Sequence, residues 1–209
     1  MDLSAWIALV ALFIAGGLTP GPAVMLVMST SLRYRAPTAL IPALGVAAAN
    51  LVWISLAAGG IAAFAAQFPV LLNVLKVAGI CFIGWLAWSL AMADPSSPHA
   101  SAKDAPPRGK LFARGVGLQV LNPNALVFFG LLLPSYFEMT HPVVPQALIM
   151  MATITVCEMT GLTLYAWLAD AMNHHFESPV FTRWFNRGAA LAMLASALFA
   201  SISTFVPHT

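Results

Sequence analysis

Runs of about 20 apolar residues, the length needed to cross a hydrocarbon core, recur along the whole of this 209-residue chain. No water-soluble surface can be built around them. Hydrophobic residues make up 60% of the sequence and charged residues 8%, against roughly 25% charged in an ordinary soluble domain. With the bilayer as solvent, backbone groups must be satisfied within each segment, which predicts helices. Hydropathy places six spans at about 5–32, 38–65, 70–92, 112–136, 145–169 and 187–205. The first is read as a span rather than a cleaved leader, because Met1-Asp2-Leu3 lacks a basic n-region. The fold class expected is an all-α integral membrane protein.

The one long polar stretch, from Asp94 to Arg108, is rich in Pro, Ser and Ala and reads as a surface linker, assigned to 94–111. It separates a three-span half at 1–93 from another at 112–209. Arg33 and Arg35 follow span one, Lys103, Arg108, Lys110 and Arg114 follow span three, and Arg183 and Arg187 follow span five. Of the basic residues, Lys76 alone lies elsewhere, just inside span three. Basic residues near span ends stay cytoplasmic, so these connections are expected inside. Both termini are then periplasmic or extracellular, as in a multi-pass protein of a bacterial inner membrane. Three spans per half means that related halves must be inverted, the plan of many secondary transporters. Pro37-Thr38-Ala39-Leu40-Ile41 opens span two and Pro145-Gln146-Ala147-Leu148-Ile149 opens span five. In that register Asn50 falls opposite Glu158, and Gly79 of span three matches Gly188 of span six at nearly the same offset.

The first helix of each half is expected to break at a proline, at Pro20-Gly21-Pro22 and at Asn122-Pro123. Each proline removes a helical hydrogen bond and clashes with the preceding turn, and irregular backbone at membrane depth belongs beside a cavity. Pro22 and Pro123 suit the first position of a new half-helix, with Asn122 able to cap. The amides of Ala23, Val24 and Met25, and of Asn124, Ala125 and Leu126, would then lack helical partners. Such ends attract anions, and an amino-acid carboxylate is a natural guest. A plain proline kink without a ligand is the alternative.

Glu158, in the middle of span five, is costly there and should face a cavity or a partner. It could hold a substrate ammonium, carry a coupling proton, do both in turn, or make a structural hydrogen bond to Asn50 or to a free carbonyl of a broken helix. Asn50 itself suits packing or capping as well as substrate contact. Tyr165 is a weaker candidate, and Thr155, Thr160 and Thr163 add polar handles, though threonine often bonds its own helix backbone. Gly45 with Ala49, and Gly79 with Gly84, are read as close-packing positions. Trp6, Trp53, Trp85, Trp88, Trp167 and Trp184 are read as interfacial belt or packing residues. Cys81 and Cys157 are expected as small buried hydrophobes, not a disulfide. No nucleotide-binding glycine loop or metal-ligand cluster is present, so no cofactor, metal site, catalytic residue or nucleic-acid partner is expected.

The chain resembles the LysE/RhtB family of amino-acid exporters along almost its whole length. The residues that carry this are Thr19-Pro20-Gly21-Pro22, Gly45, Asn50-Leu51-Val52-Trp53, Leu75-Lys76 with Gly79, Phe112 with Gly115, Asn122-Pro123, Phe128-Phe129, Pro134, Glu158 and Tyr165. The resemblance implies efflux of amino acids or close analogues, driven by the proton gradient or membrane potential. The implied partners are a small-molecule substrate, protons and lipid, with a homo-oligomer compatible. Ala23 stands where the family has asparagine, Asn124 where it has lysine, Ala49 where glycine is common and Phe82 where tyrosine is common. A transmembrane thiol redox carrier using Cys81 and Cys157 is the competing expectation. It would require helices that bring the two sulfurs within disulfide reach.

Overall fold

A computed structural model describes residues 3–18, 21–60, 69–92, 105–122, 125, 128–138, 140–172 and 178–205. Among them every regular element is helical. The α-helices are α1 (Leu3–Leu18), α2 (Pro22–Tyr34), α3 (Ala36–Ala58), α4 (Pro69–Ala91), α5 (Arg108–Val120), α6 (Val143–Ala171) and α7 (Pro179–Phe205). A π-helical turn at Phe128–Leu132 and a 3-10 turn at Leu133–Tyr136 lie between α5 and α6. Of the described helices, α3 and α6 are each long and apolar enough to cross a bilayer, and Leu3–Ile14 and Ile80–Ala91 are shorter apolar stretches.

Several boundaries differ from the expected spans, among them the start of the sixth, whose helix begins at Pro179 rather than at 187. The span at 38–65 loses its helix at Ala58, because Gly59-Gly60 ends it with Gly60 at φ 81°, the left-handed conformation that glycine adopts freely. The helix of the fourth span begins earlier, at Arg108, and ends at Val120. After Asn122, Ala125 is α-helical, and Phe128–Leu132 and Leu133–Tyr136 form π and 3-10 turns before the expected end of the span. Pro134 supplies a reason: its ring would strike the carbonyl four residues back in an α-helix, and a wider turn before it relieves that clash.

α3 lies at the centre, packed on α2, α5 and α6. Buried positions Ala39, Ala43, Val46, Asn50, Trp53 and Ala57 recur every three or four residues as one stripe, and Pro42, Gly45 and Ala49 are buried on a second side. Against α5 the backbones nearly touch. A Cβ on Gly45 would run into the carbonyl oxygen of Phe112, and one on Gly115 into that of Pro42. Gly45 thus acts as expected, whereas Gly84 does not, since a Cβ there would meet open space.

Contacts fix the directions of the helices. Gly45 meets Phe112 and Asn50 meets Gln119, so α3 and α5 run parallel. Val46 shares a core cluster with Leu162, and Ala57 shares another with Ala147 and Met150, so α3 and α6 are antiparallel. α4 packs on α7 through Ile83, Leu86 and Ala87 against Ala190 and Met193. Trp6, Trp85, Trp88, Trp167 and Trp184 are exposed, while Trp53 alone of the six is buried. At the α2–α3 corner Arg35 has φ 74° and ψ 157°, backbone that costs a non-glycine residue on the order of 1–3 kcal/mol. Its Nε lies 3.1 Å from Oδ1 of Asp170 at the end of α6, close enough to pair electrostatically though not aligned as a hydrogen bond.

Candidate functional site

α3, α5 and α6 each turn one uncharged or acidic polar side chain into their common contact. Asn50 lies on the buried stripe of α3, Gln119 follows Gly115 by one turn on the α3-facing side of α5, and Glu158 is spaced four residues from both Ile154 and Leu162 on α6. The same spacing that packs the helices therefore aims these three groups at one another. Asn50 is fully buried and donates from Nδ2 to Oε2 of Glu158. Its Oδ1 accepts from Gln119 Nε2 at 2.6 Å. Gln119 Oε1 accepts in turn from Asn122 Nδ2 at 3.5 Å, a long contact. Trp53 Nε1 donates to the carbonyl of Gln119 at 3.3 Å, tying α3 to the last turn of α5.

Glu158 is half-buried, and Thr155, one turn before it, has a buried Oγ1 without a hydrogen-bond partner. Thr155 therefore does not bond its own helix backbone as threonine often does. Thr30 and Ser29 do bond back in this way, both to the carbonyl of Leu26.

The first chain break comes to the same level. Gly21, extended at φ −108°, is the N-cap of α2, with Pro22 at the helix start. Met25 N donates to the Gly21 carbonyl at 3.0 Å, so the expectation that its amide is free fails: it is the first amide with an acceptor inside the helix. A helix that starts at Pro22 gives the amides of Ala23 and Val24 no acceptor of its own. Ser31 Oγ donates to the Ala166 carbonyl at 2.6 Å, an offset of 135 residues, and Arg35 and Asp170 keep that offset. Carried back along two parallel helices, it puts Ala23 level with Glu158.

The side chain of Val24 is buried with Val27, Ala43, Val46 and Leu162, so that side chain does not face a ligand. Tyr165 is half-buried at the edge of that cluster, two turns beyond Glu158 on α6. Asn50, Asn122 and Glu158 are thus brought into one network, and Gly21, Pro22, Ala23 and Val24 lie beside it. Pro20, Pro123 and Asn124 lie outside the described residues. Gln119, which joins Asn50 to Asn122, was not singled out in the sequence. Its spacing of four from Gly115 and three from Asn122 is the signal that would have found it.

Cys81 is exposed on α4 and Cys157 half-buried on α6, and both are free thiols. The expectation that both are buried hydrophobes fails for Cys81, which faces outward, and the thiol redox reading gains no support.

The sequence profile of the LysE type translocators matches residues 14–204. The homoserine/homoserine lactone efflux protein of Salmonella typhimurium is 28% identical over 188 residues, covering 88% of this chain and 90% of that protein. The leucine efflux protein of an Enterobacter species is 26% identical over 185 residues, covering 87% and 82%. The leucine efflux protein of Salmonella choleraesuis is 27% identical over 168 residues, 78% of each chain. No solved structure matches the chain. A match over almost the whole length, together with efflux relatives aligned over most of both chains, makes this chain a member of the LysE-type translocator family, which are membrane transporters and not enzymes.

Proposed function

We propose that the chain is a secondary exporter of amino acids or close analogues, built from six spans in two inverted halves in a bacterial inner membrane. The observation that carries it is the carboxyl of Glu158, held at the contact of α3 and α6 by the Asn50 amide and level with the start of α2. An amino acid needs one group for its ammonium and another for its carboxylate. Glu158 meets the first need, and the free amides of Ala23 and Val24 meet the second. Asn122, with Pro123 and Asn124 after it, would close the site from the second half, and Tyr165 would line its cytoplasmic side. Protonation of Glu158 would supply the coupling.

The inverted plan is supported by pairing of matched elements. α3 contacts α6 and α4 contacts α7, and Asn50 bonds the residue it faces in the repeat register. Such self-pairing is expected where a pseudo-two-fold axis passes between the elements. The relatives named for homoserine, homoserine lactone and leucine efflux support amino-acid cargo. The test is counterflow and efflux of labelled homoserine and leucine from proteoliposomes. Glu158→Gln should abolish stimulation by a proton gradient, and Pro22→Ala should cut transport at least roughly tenfold, the loss of about 1.4 kcal/mol. Unchanged gradient dependence in Glu158→Gln removes the coupling role, and unchanged transport in Pro22→Ala removes the binding site.

A further inference from the structure

Asn50 faces two groups, Glu158 and Gln119, and its amide has a donating and an accepting end. Which end meets the carboxyl is decided on the opposite side. Gln119 Nε2 donates to Asn50 Oδ1 at 2.6 Å, which leaves Nδ2 directed at Glu158. Gln119 Oε1 faces Asn122 Nδ2 across a long contact of 3.5 Å, and its backbone is tied to α3 through Trp53 Nε1. The hydrogen bonds therefore point one way, from Gln119 at the end of α5, through Asn50 on α3, to the carboxyl on α6, with the long Asn122 contact behind them.

We infer that Gln119 is a positioning residue that sets the Asn50 amide toward Glu158 and so links the protonation of Glu158 to the second chain break at Asn122. This deepens the proposed export function and rests on it. An ionised carboxylate only accepts hydrogen bonds, so it holds Asn50, Gln119 and Asn122 in this one sense. A protonated carboxyl also donates, and the Asn50 amide is then free to reverse, with Gln119 and Asn122 reversing behind it. The proton moves only on and off Glu158, and the amides pass on the orientation.

Few other charges bear on this carboxyl among the described residues. α1 and α3 carry no titratable side chain. α2 carries Arg33 and Tyr34 at its far end, beside Leu32, which packs on Ala169. That is eleven residues beyond Glu158 on α6, about 16 Å along the helix. α5 carries Arg108, Lys110 and Arg114, all before Gly115. α6 itself adds Cys157, Tyr165 and Asp170.

The test uses the full chain reconstituted in lipid, with Gln119→Met, which keeps length and volume but neither donates nor accepts as an amide does, and Gln119→Asn as the conservative variant. Infrared difference spectroscopy follows the carboxyl C=O band that disappears in Glu158→Gln. In Gln119→Met that band should shift and its titration midpoint should move by about one pH unit, the scale of a single buried hydrogen bond, with Gln119→Asn nearer to wild type. In transport, gradient stimulation of labelled homoserine or leucine efflux should fall roughly tenfold while the counterflow KM stays within about twofold. A band and midpoint unmoved in Gln119→Met, although Asn50→Leu moves them, overturns the inference whether or not either probe is carried. Failure of wild type to carry any amino acid, with the band shifted, leaves the positioning role standing and defeats the export reading instead.

Discussion

A carboxyl in the middle of α6 is tolerable because an amide of another helix donates to it, and that amide is anchored by a third helix. Removing the middle member should expose the dependence. Asn50→Ala should lower stability by about 1–3 kcal/mol, the cost of stranding buried polar groups on both sides. The same change in a Glu158→Ala background should cost about 1 kcal/mol less, because one stranded partner is gone. Thermal unfolding of the four proteins in detergent measures the cycle, and additive effects would mean that the two side chains do not interact. This pair was legible in the sequence, because the two proline-led segments at Pro37 and Pro145 put Asn50 and Glu158 in register. Gln119 was not, because its role depends on how α5 is rotated against α3, which Gly115 decides. Neither was the orphan hydroxyl of Thr155, since a threonine on an apolar helix ordinarily bonds its own backbone.

Apolar run length pointed to an all-helical chain, but not to which helices touch. Gly45, Gly79, Gly84 and Gly115 look alike in the sequence, yet Gly45 and Gly115 meet backbone of the opposite helix and Gly84 meets open space. Gly45→Ala and Gly115→Ala should each force α3 and α5 apart and destabilise by about 1–3 kcal/mol, the usual cost of overpacking. They should also loosen the Asn50–Gln119 bond, which lies one to two turns further along the same contact. Gly84→Ala should be neutral or stabilising by up to about 1 kcal/mol, from helix propensity alone. Melting temperatures of the three variants decide this, and a Gly84→Ala loss as large as that of Gly45→Ala would refute the contact assignment. The break before Pro22 was readable because proline and glycine act locally. The turns at Phe128–Leu132 and Leu133–Tyr136 were not: Phe128-Phe129-Gly130-Leu131-Leu132 reads as ordinary apolar helix until the downstream effect of Pro134 is counted.

The directions of the helices gather most of the described basic residues at one end. α3 and α5 start at the same end, with Arg35, Arg108 and Lys110 there, and α6 finishes at that end, where Asp170 meets Arg35. Arg183 and Arg187 follow in the first turns of α7. Glu138, Thr140 and His141, which cluster before α6, lie at the opposite end. If basic connections are retained in the cytoplasm, the side of each end is determined, because a half-turned protein would have to carry nearly all its basic side chains across the membrane. Exposed positions allow a direct test in a Cys81→Ser/Cys157→Ser background, which also removes any thiol chemistry. In intact cells a membrane-impermeant maleimide should label Thr140→Cys, and should label Lys110→Cys and Arg183→Cys only after the membrane is opened. The reverse pattern would invert the direction of transport that the positive end implies. Loss of efflux in the cysteine-free background, with the protein still folded, would return the thiols to the mechanism. Retained efflux with the expected labelling would place the Ala23 and Glu158 level between a basic cytoplasmic mouth and the Glu138 end, which is the geometry that an exporter loading from inside the cell requires.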